Sequence, residues 1–311
     1  SIDIVVSVYN EEEGLRAFVE KTKEVLQNLN LRSCILLVND GSSDNSVHII
    51  NELAKNSPVV KAIHLSRNFG HEAAMLAGID HSNADALICL DADMQHPPDE
   101  IPAMVKKINE GFDIINMVRN DRDDGGFFRK ITSALFYSII NRISPVKLEK
   151  NASDFFIISR KVIRILQKEY RERTRFLRGY TQIVGFRKTT LSYYADNRYA
   201  GKSKYSLSKL LILTTGAIVS FSKVPLYMGL VLGLLSAIMA IGVLVYSIVI
   251  KISGGAPPGY TTLIVFMSFM FAIQFFLIGI LGLYIGYIFD ENKKRPIYIV
   301  DNCIGFDNDK V

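Results

Sequence analysis

Two aspartates separated by one residue, Asp91-Ala92-Asp93, follow the apolar run Ala86-Leu87-Ile88-Cys89-Leu90. Carboxylates at that spacing, at the end of a buried strand, can share one hard divalent cation. Mg2+ or Mn2+ prefers such oxygen ligands and commonly bridges them to substrate phosphates. Gln95 offers a carbonyl oxygen to the same ion, while His96 is the weaker ligand because imidazole suits softer metals. D-x-D alone is common by chance, so its weight comes from its position. Two other strand-like runs also end in polar clusters: residues 2–8 lead into Tyr9-Asn10-Glu11, and 35–38 into Asn39-Asp40-Gly41-Ser42-Ser43-Asp44. Asp44 by itself reads as a cap for the helix that follows. The convergence of all three ends is the functional signal.

Strand ends need a frame to bring them together. Apolar runs at 2–8, 35–38, 60–65, 86–90 and 113–118 alternate with helical periodicity at 12–29, 45–55, 72–81 and 101–110. That alternation predicts an α/β domain with a mainly parallel sheet and right-handed crossovers. Ligands of such sheets bind outside the carboxyl ends of the strands. Neither G-x-G-x-x-G after the first strand nor G-x-x-x-x-G-K-[ST] is present, which argues against a dinucleotide oxidoreductase or a P-loop phosphotransferase.

The formal net charge of +5 makes no case for nucleic acid, and the 49% hydrophobic content is unevenly spread. From 226 to 288 the one charged residue is Lys251. The runs 224–250 and 263–288 are uncharged. Each is about 26 residues, roughly 39 Å as a helix, enough to cross a hydrocarbon core of about 30 Å with some tilt. Gly254-Gly255, Pro257-Pro258 and Gly259 between them supply turn chemistry, so the pair predicts a two-helix transmembrane hairpin. Lys202, Lys204, Lys209 and Lys223 precede it and Lys293-Lys294-Arg295 follow, which places both flanks in the cytoplasm. Gly279, Gly282 and Gly286 are expected to make close helix contact, within the hairpin or between subunits of a homo-oligomer. Residues 205–222, with Leu207, Leu210, Leu211 and Leu213 among Ser and Lys, read as an amphipathic helix that lies in the membrane interface or covers the soluble domain. The expected organisation is a cytoplasmic domain over 1–200, an interfacial segment over 201–223, the helices within 224–290 and a cytoplasmic tail over 291–311. The start, from Ser1 to Ser7, has no signal-peptide pattern. Cys34 and Cys89 are expected to be small buried hydrophobes of a reducing compartment.

Three segments together carry a family resemblance: Val5-Val6-Ser7-Val8-Tyr9-Asn10-Glu11-Glu12, Val38-Asn39-Asp40-Gly41-Ser42-Ser43-Asp44 and Asp91-Ala92-Asp93-Met94-Gln95-His96-Pro97-Pro98. They resemble the inverting family 2 glycosyltransferases of the A-type, Rossmann-like fold. Within these the chain looks most like the polyprenyl-phosphate sugar transferases, such as dolichyl-phosphate mannose synthase and the bactoprenol glucosyltransferases. The resemblance covers nearly the whole chain, since the bactoprenol enzymes also carry a C-terminal two-span hairpin. Ser7 departs from it, standing where many members have proline.

The resemblance implies that Val8, Tyr9, Asn10 and Glu11 line the nucleotide-sugar site, with Asp40 on the base and Arg119 near the phosphates. It implies that Asp91, Asp93 and Gln95 hold a Mg2+ or Mn2+ ion and the diphosphate, Asp93 serving catalysis as well. Arg129, Ser133, Arg198 and Lys204 would contact phosphate of the lipid acceptor, and Asp154 falls at the family's catalytic aspartate. Physics supports a basic cluster, because two anionic substrates must approach each other. It also qualifies Asp154. A phosphate monoester has its second pKa near about 6 and arrives ionised, so Asp154 is expected to orient the acceptor or a cation more than to remove a proton.

The function so implied is transfer of a hexose, glucose from UDP-glucose first, to undecaprenyl phosphate with inversion, at the inner membrane and for cell-envelope glycosylation. Mannose and amino-arabinose stay open as the sugar. A processive polysaccharide synthase normally carries more spans and Q-x-x-R-W, which is absent here. A non-catalytic scaffold is opposed by the intact Asp91/Asp93 pair. Asp121, Asp123, Asp124 and Gly125-Gly126 form either a closing loop or plain surface, and His71 and His81 read as structural.

Overall fold

The computed structural model describes residues 1–120, 152–173, 177–194, 224–253 and 259–306. Every element expected between residues 2 and 118 is present: β1 (Ile2–Val8), α1 (Leu15–Asn28), β2 (Ser33–Asn39), α2 (Ser46–Asn56), β3 (Val60–Leu65), α3 (His71–His81), β4 (Ala86–Asp91), α4 (Ile101–Asn109) and β5 (Ile114–Arg119). Further along come β6 (Ala152–Ser159), α5 (Arg160–Lys168), α6 (Leu177–Ile183) and β7 (Lys188–Tyr193). Two long helices follow, α7 (Val224–Ile252) and α8 (Tyr260–Asn292), and then β8 (Val300–Ile304).

The eight strands form one sheet in the order β7-β5-β6-β4-β1-β2-β3-β8. Six run in one direction; β6 and β8 run against them. Helices cover both faces of the central strands, so these read as continuous apolar runs without alternation; Ile4, Val5, Val6 and Val8 are all fully buried. The chain steps outward from β1 to β3 and then crosses back over β1 to form β4. That reversal creates a switch point between β1 and β4, where ligands of open α/β sheets bind. Register completes the convergence, since Ser7 pairs with Asp91 and Val8 with Asn39. The polar residues after the three strands therefore leave the sheet side by side.

Helix α3 lies close against β1. A Cβ added at Gly78 would overlap both methyl groups of Val5. Alanine is the better helix former by up to about 1 kcal/mol, but overpacking a filled core costs about 1–3 kcal/mol. Gly78→Ala is therefore expected to lower stability despite its helix propensity. A thermal unfolding midpoint equal to the parent's would contradict this close packing.

The described residues fall into two units, one made of residues up to 194 together with 296–306, the other of 224–295. The expectation that the C-terminus is only a tail is corrected here. Strand β8 pairs antiparallel with β3, and Ser66 N–H donates to the Ile299 carbonyl at 2.9 Å. The Tyr298 hydroxyl donates to Asp80 Oδ2 at 2.6 Å, and the same carboxylate receives Arg171 Nη1 at 2.8 and 2.9 Å. Five residues at a sheet edge, two of them polar and exposed, leave little periodic trace in sequence.

In the second unit, Phe269–Asn292 within α8 is long and apolar enough to cross a membrane, with a mean hydropathy of 2.1. The corresponding apolar stretch of α7, Val231–Tyr246, is shorter. The two helices approach at Gly229, where a Cβ would come 3.3 Å from Leu277. Among the described residues none meets a Cβ placed at Gly279, Gly282 or Gly286, so the expected close contact through them is not seen there. Cys89 is buried as expected, whereas Cys34 is partly exposed. The amphipathic segment at 201–223 lies outside the described residues.

Candidate active site

The loops after β1 and β2 are tied together by side chains that accept backbone N–H groups. Asn10 takes a left-handed conformation (φ 56°), which asparagine tolerates better than most residues. Its Oδ1 accepts the Ser43 N–H at 2.8 Å, and its own N–H donates to Ser42 Oγ at 3.1 Å. Ser46 Oγ accepts the Glu11 N–H at 3.0 Å, and Glu12 Oε2 accepts the Asn45 N–H at 2.8 Å. Asp44 serves the start of α2 as expected, accepting the Ser46 N–H at 3.0 Å; its other oxygen takes the Glu12 N–H at 3.2 Å. Burial pushes the Asp44 carboxyl up, but the bonds from Ser46 and Glu12 outweigh it and hold it below its ordinary value. Val8 is buried at the strand end and Tyr9 is exposed beyond it.

Asp40 is 1% exposed, an expensive place for a carboxylate without partners. Its two oxygens accept the Phe69 and Gly70 N–H groups at 2.7 and 2.9 Å. The contact with a nucleotide base that the resemblance implies would have to use its remaining lone pairs. What Asp40 visibly does is fix the β3–α3 loop, and with it the entry of His71.

At the end of β4, the Asp91 N–H donates to His96 Nδ1 at 3.0 Å. His96 Nδ1 is thus the acceptor of that bond. The ring stacks on Phe155 at 5.2 Å and meets Tyr193 edge-on at 6.1 Å, so His96 is a buried prop for the strand end. Asp93 Oδ1 accepts the Gln95 N–H at 3.1 Å across Met94, which has φ 64°. The Gln95 carbonyl oxygen accepts from Arg119 Nη1 at 3.2 Å. Gln95 and Arg119 thereby tie the ends of β4 and β5.

Across the site stands Asp154 of β6. Its side chain is 20% exposed and held by the guanidinium fork of Arg178 in α6, Nε to Oδ1 at 3.1 Å and Nη2 to Oδ2 at 2.6 Å. His71 Nε2 lies 3.5 Å from Asp91 Oδ1 and 4.0 Å from Asp154 Oδ2, one imidazole beside both carboxylates. Glu72 Oε2 accepts the Leu177 N–H at 2.9 Å and so fixes the start of α6. Burial pushes the Asp154 carboxyl up, yet Arg178 and then His71 outweigh it and bring it down to about 2. Burial pushes His71 down, but Asp91, Asp154 and Glu72 hold it above its ordinary value. Glu72 is raised, by burial first and by the nearby Asp154 second.

His71, read from the sequence as structural, stands between two carboxylates, those of Asp91 and Asp154. Arg178 and Glu72 were not legible beforehand, because no local spacing links them to Asp154. The structure brings together Asp91, Asp154, His71, Glu72 and Arg178, and joins Asp93, Gln95 and Arg119 at the neighbouring strand ends. Arg129, Ser133, Arg198, Lys202 and Lys204, and the stretch from Asp121 to Gly126, lie outside the described residues.

Among the described residues no group of three or more His, Cys, Asp or Glu is arranged to hold a metal ion. Asp91 and Asp93 supply hard oxygen donors, and the Asp91 side chain is 33% exposed. That donor set suits an ion such as Mg2+, which takes one or two carboxylates and draws its other ligands from water and substrate phosphates.

Residues 3–166 match the model of glycosyl transferase family 2. An uncharacterized glycosyltransferase of Bacillus subtilis (strain 168), YkcC, is 37% identical over 311 residues, covering 99% of this chain and 95% of its own. A prophage bactoprenol glucosyl transferase homolog of Escherichia coli (strain K12) is 37% identical over 303 residues, covering 96% and 98%. Among solved structures, glucosyl-3-phosphoglycerate synthase from Mycobacterium tuberculosis, in complex with Mn2+, UDP-glucose and phosphoglyceric acid, covers 71% of this chain and 78% of its own. At 15% identity and a TM-score of 0.49 that likeness is too distant to locate a site here.

Proposed function

This chain belongs to glycosyl transferase family 2, and from that premise we propose that it transfers glucose from UDP-glucose to polyprenyl phosphate with inversion. The acceptor and the sugar follow the bactoprenol glucosyl transferases that align along nearly the whole chain. One observation carries the chemistry. At the switch point of the sheet, Asp91 and the Asp154–Arg178 pair flank a single imidazole, that of His71. Asp91 thus stands on the donor side, and Asp154 with its cationic partner Arg178 on the acceptor side.

An oxygen of the acceptor phosphate attacks the anomeric carbon opposite the departing diphosphate. The new C–O bond forms as the old one breaks, its electron pair leaves with the nucleotide, and configuration inverts. No proton has to be removed, because the acceptor arrives ionised. Asp154 orients the acceptor through its cationic neighbours. Asp91 and Asp93 would hold Mg2+ or Mn2+, which when bound offsets charge on the departing diphosphate. Tyr9, Asn10, Glu11, Asp40 and Arg119 are assigned to the nucleotide sugar, and Arg129, Ser133, Arg198 and Lys204 to the acceptor phosphate.

Membrane anchoring belongs to the same reading. β7 and β8 are strands of one sheet, so the chain between them starts and finishes on one side of any membrane it crosses. An even number of crossings meets that condition, and α7 and α8 supply two. At 29 and 33 residues they are roughly 44 and 50 Å long, sufficient for a hydrocarbon core of about 30 Å. The catalytic domain and the segment after α8 then lie in the cytoplasm. A homo-oligomer joined through the helices would give the open faces of Gly279, Gly282 and Gly286 a partner.

The test presents the full chain, in lipid nanodiscs, with a short polyprenyl phosphate and in turn UDP-glucose, GDP-mannose and a nucleotide amino-arabinose. Mass spectrometry is expected to find polyprenyl phosphate carrying one glucose, formed with UDP-glucose and lost on chelation of divalent ions. Preferential use of the mannose donor would overturn the choice of sugar. Accumulation of a polymer would favour the synthase instead.

A further inference from the structure

Water competes with the acceptor for the same anomeric carbon. When a phosphate oxygen attacks, one C–O bond forms, the bond to the diphosphate breaks, and no proton is left over. When water attacks, the same bonds form and break, but the oxygen must also shed a proton. A nearby carboxylate with an accessible lone pair and ordinary basicity would accept it. Asp154, which the family resemblance assigns to catalysis, is the candidate for that role, and here both of its oxygens are engaged by one guanidinium, at 3.1 and 2.6 Å. The fork is geometrically specific; a lysine ammonium could not hold both oxygens in the same way.

We propose that Arg178 is a positioning residue that withdraws Asp154 from service as a base, so that the site accepts nucleophiles arriving as anions and protects the sugar donor from hydrolysis. This rests on the glucosyl-transfer reading and adds to it the basis on which phosphate acceptors are chosen over hydroxyl acceptors. Several features agree. The Asp154 carboxyl sits at about 2, far below the range near the working pH where a general base is effective. Glu72 accepts the Leu177 N–H and anchors the first residue of the helix that carries Arg178. The guanidinium is thus held against Asp154 by the helix start as well as by its own fork.

The experiment supplies the full chain with UDP-glucose and a short polyprenyl phosphate and measures free glucose and lipid-linked glucose together. In Arg178→Gln the ratio of hydrolysis to transfer is expected to rise about a hundredfold, the low end of what general base catalysis contributes. The neutral polyprenol, offered in place of its phosphate, should also begin to accept glucose. Arg178→Lys should fall between the parent and Arg178→Gln. The double variant Arg178→Gln with Asp154→Asn should lose the free glucose release gained in Arg178→Gln, since the released base is gone. A purely structural role for Arg178 would lower both reactions together and leave the ratio unchanged. If thermal unfolding shows that Arg178→Gln does not fold, Arg178→Lys carries the test through the same ratio. An unchanged ratio in a folded Arg178 variant, or a raised rate of free glucose release that persists in the double variant, overturns the proposal. A parent chain that makes no glycolipid sinks the glucosyl-transfer reading and this proposal with it; one that makes glycolipid beside unaltered partitioning sinks this proposal alone.

Discussion

Asp91→Asn is expected to lower glycolipid formation about a thousandfold while leaving the fold intact. A divalent ion held by Asp91 and Asp93 would contribute several kcal/mol of charge stabilisation to the leaving group. Replacing one anionic ligand by a neutral amide forfeits much of this. A loss of about 4 kcal/mol corresponds to roughly a thousandfold, at about 1.4 kcal/mol per tenfold change in rate. The fold should tolerate the change because the side chain is partly exposed and the bond that anchors the strand end runs from the backbone N–H to His96. Steady-state turnover against divalent ion concentration, beside thermal unfolding, checks both halves. A variant within tenfold of the parent would remove Asp91 from the donor site.

Asp40→Ala is expected to have the largest effect on stability, a loss of about 4 kcal/mol. Hydrogen bonds to a charged group contribute about 1.5–3 kcal/mol each, and a buried donor left unpaired costs about 1–3 kcal/mol. Asp40 accepts two such bonds, from the Phe69 and Gly70 N–H groups, and alanine accepts none. For a domain of this size the midpoint of thermal unfolding should fall by roughly 8–16 °C. Activity should fall with it, because the loop that Asp40 holds sets the position of His71 between Asp91 and Asp154. Asp40→Asn keeps one acceptor oxygen and should fall between. A midpoint for Asp40→Ala within about 2 °C of the parent would mean that the loop is held by something else.

The two halves of the site differed in how plainly they could be read in advance. Buried parallel strands announce themselves as short apolar runs, so β1 to β5 and the polar residues at their ends were visible before any coordinates. The pairing of Ser7 with Asp91 follows once the strand order reverses at β1. The half around Asp154 was obscure because its parts come from distant segments. β6 inserts antiparallel between β4 and β5, and Arg178 reaches Asp154 from a seven-residue helix. His71 looked structural because a histidine at a helix start usually is. Its role appears only when Asp40, from another strand, fixes the loop before it. β8 was hidden for a different reason, being a short edge strand with exposed polar residues and no alternation to betray it. Gln95 was assigned to a metal on residue type, and the structure directs its carbonyl to Arg119, a preference that no spacing encodes.

In the proposed reaction the lipid phosphate itself displaces the diphosphate in a single step, with no sugar held on the protein along the way. The anomeric configuration of the purified glycolipid, determined by NMR on product made from α-linked UDP-glucose, tests this most directly. Direct displacement gives a β linkage. An α linkage would require either two successive displacements or front-face attack, and would contradict it.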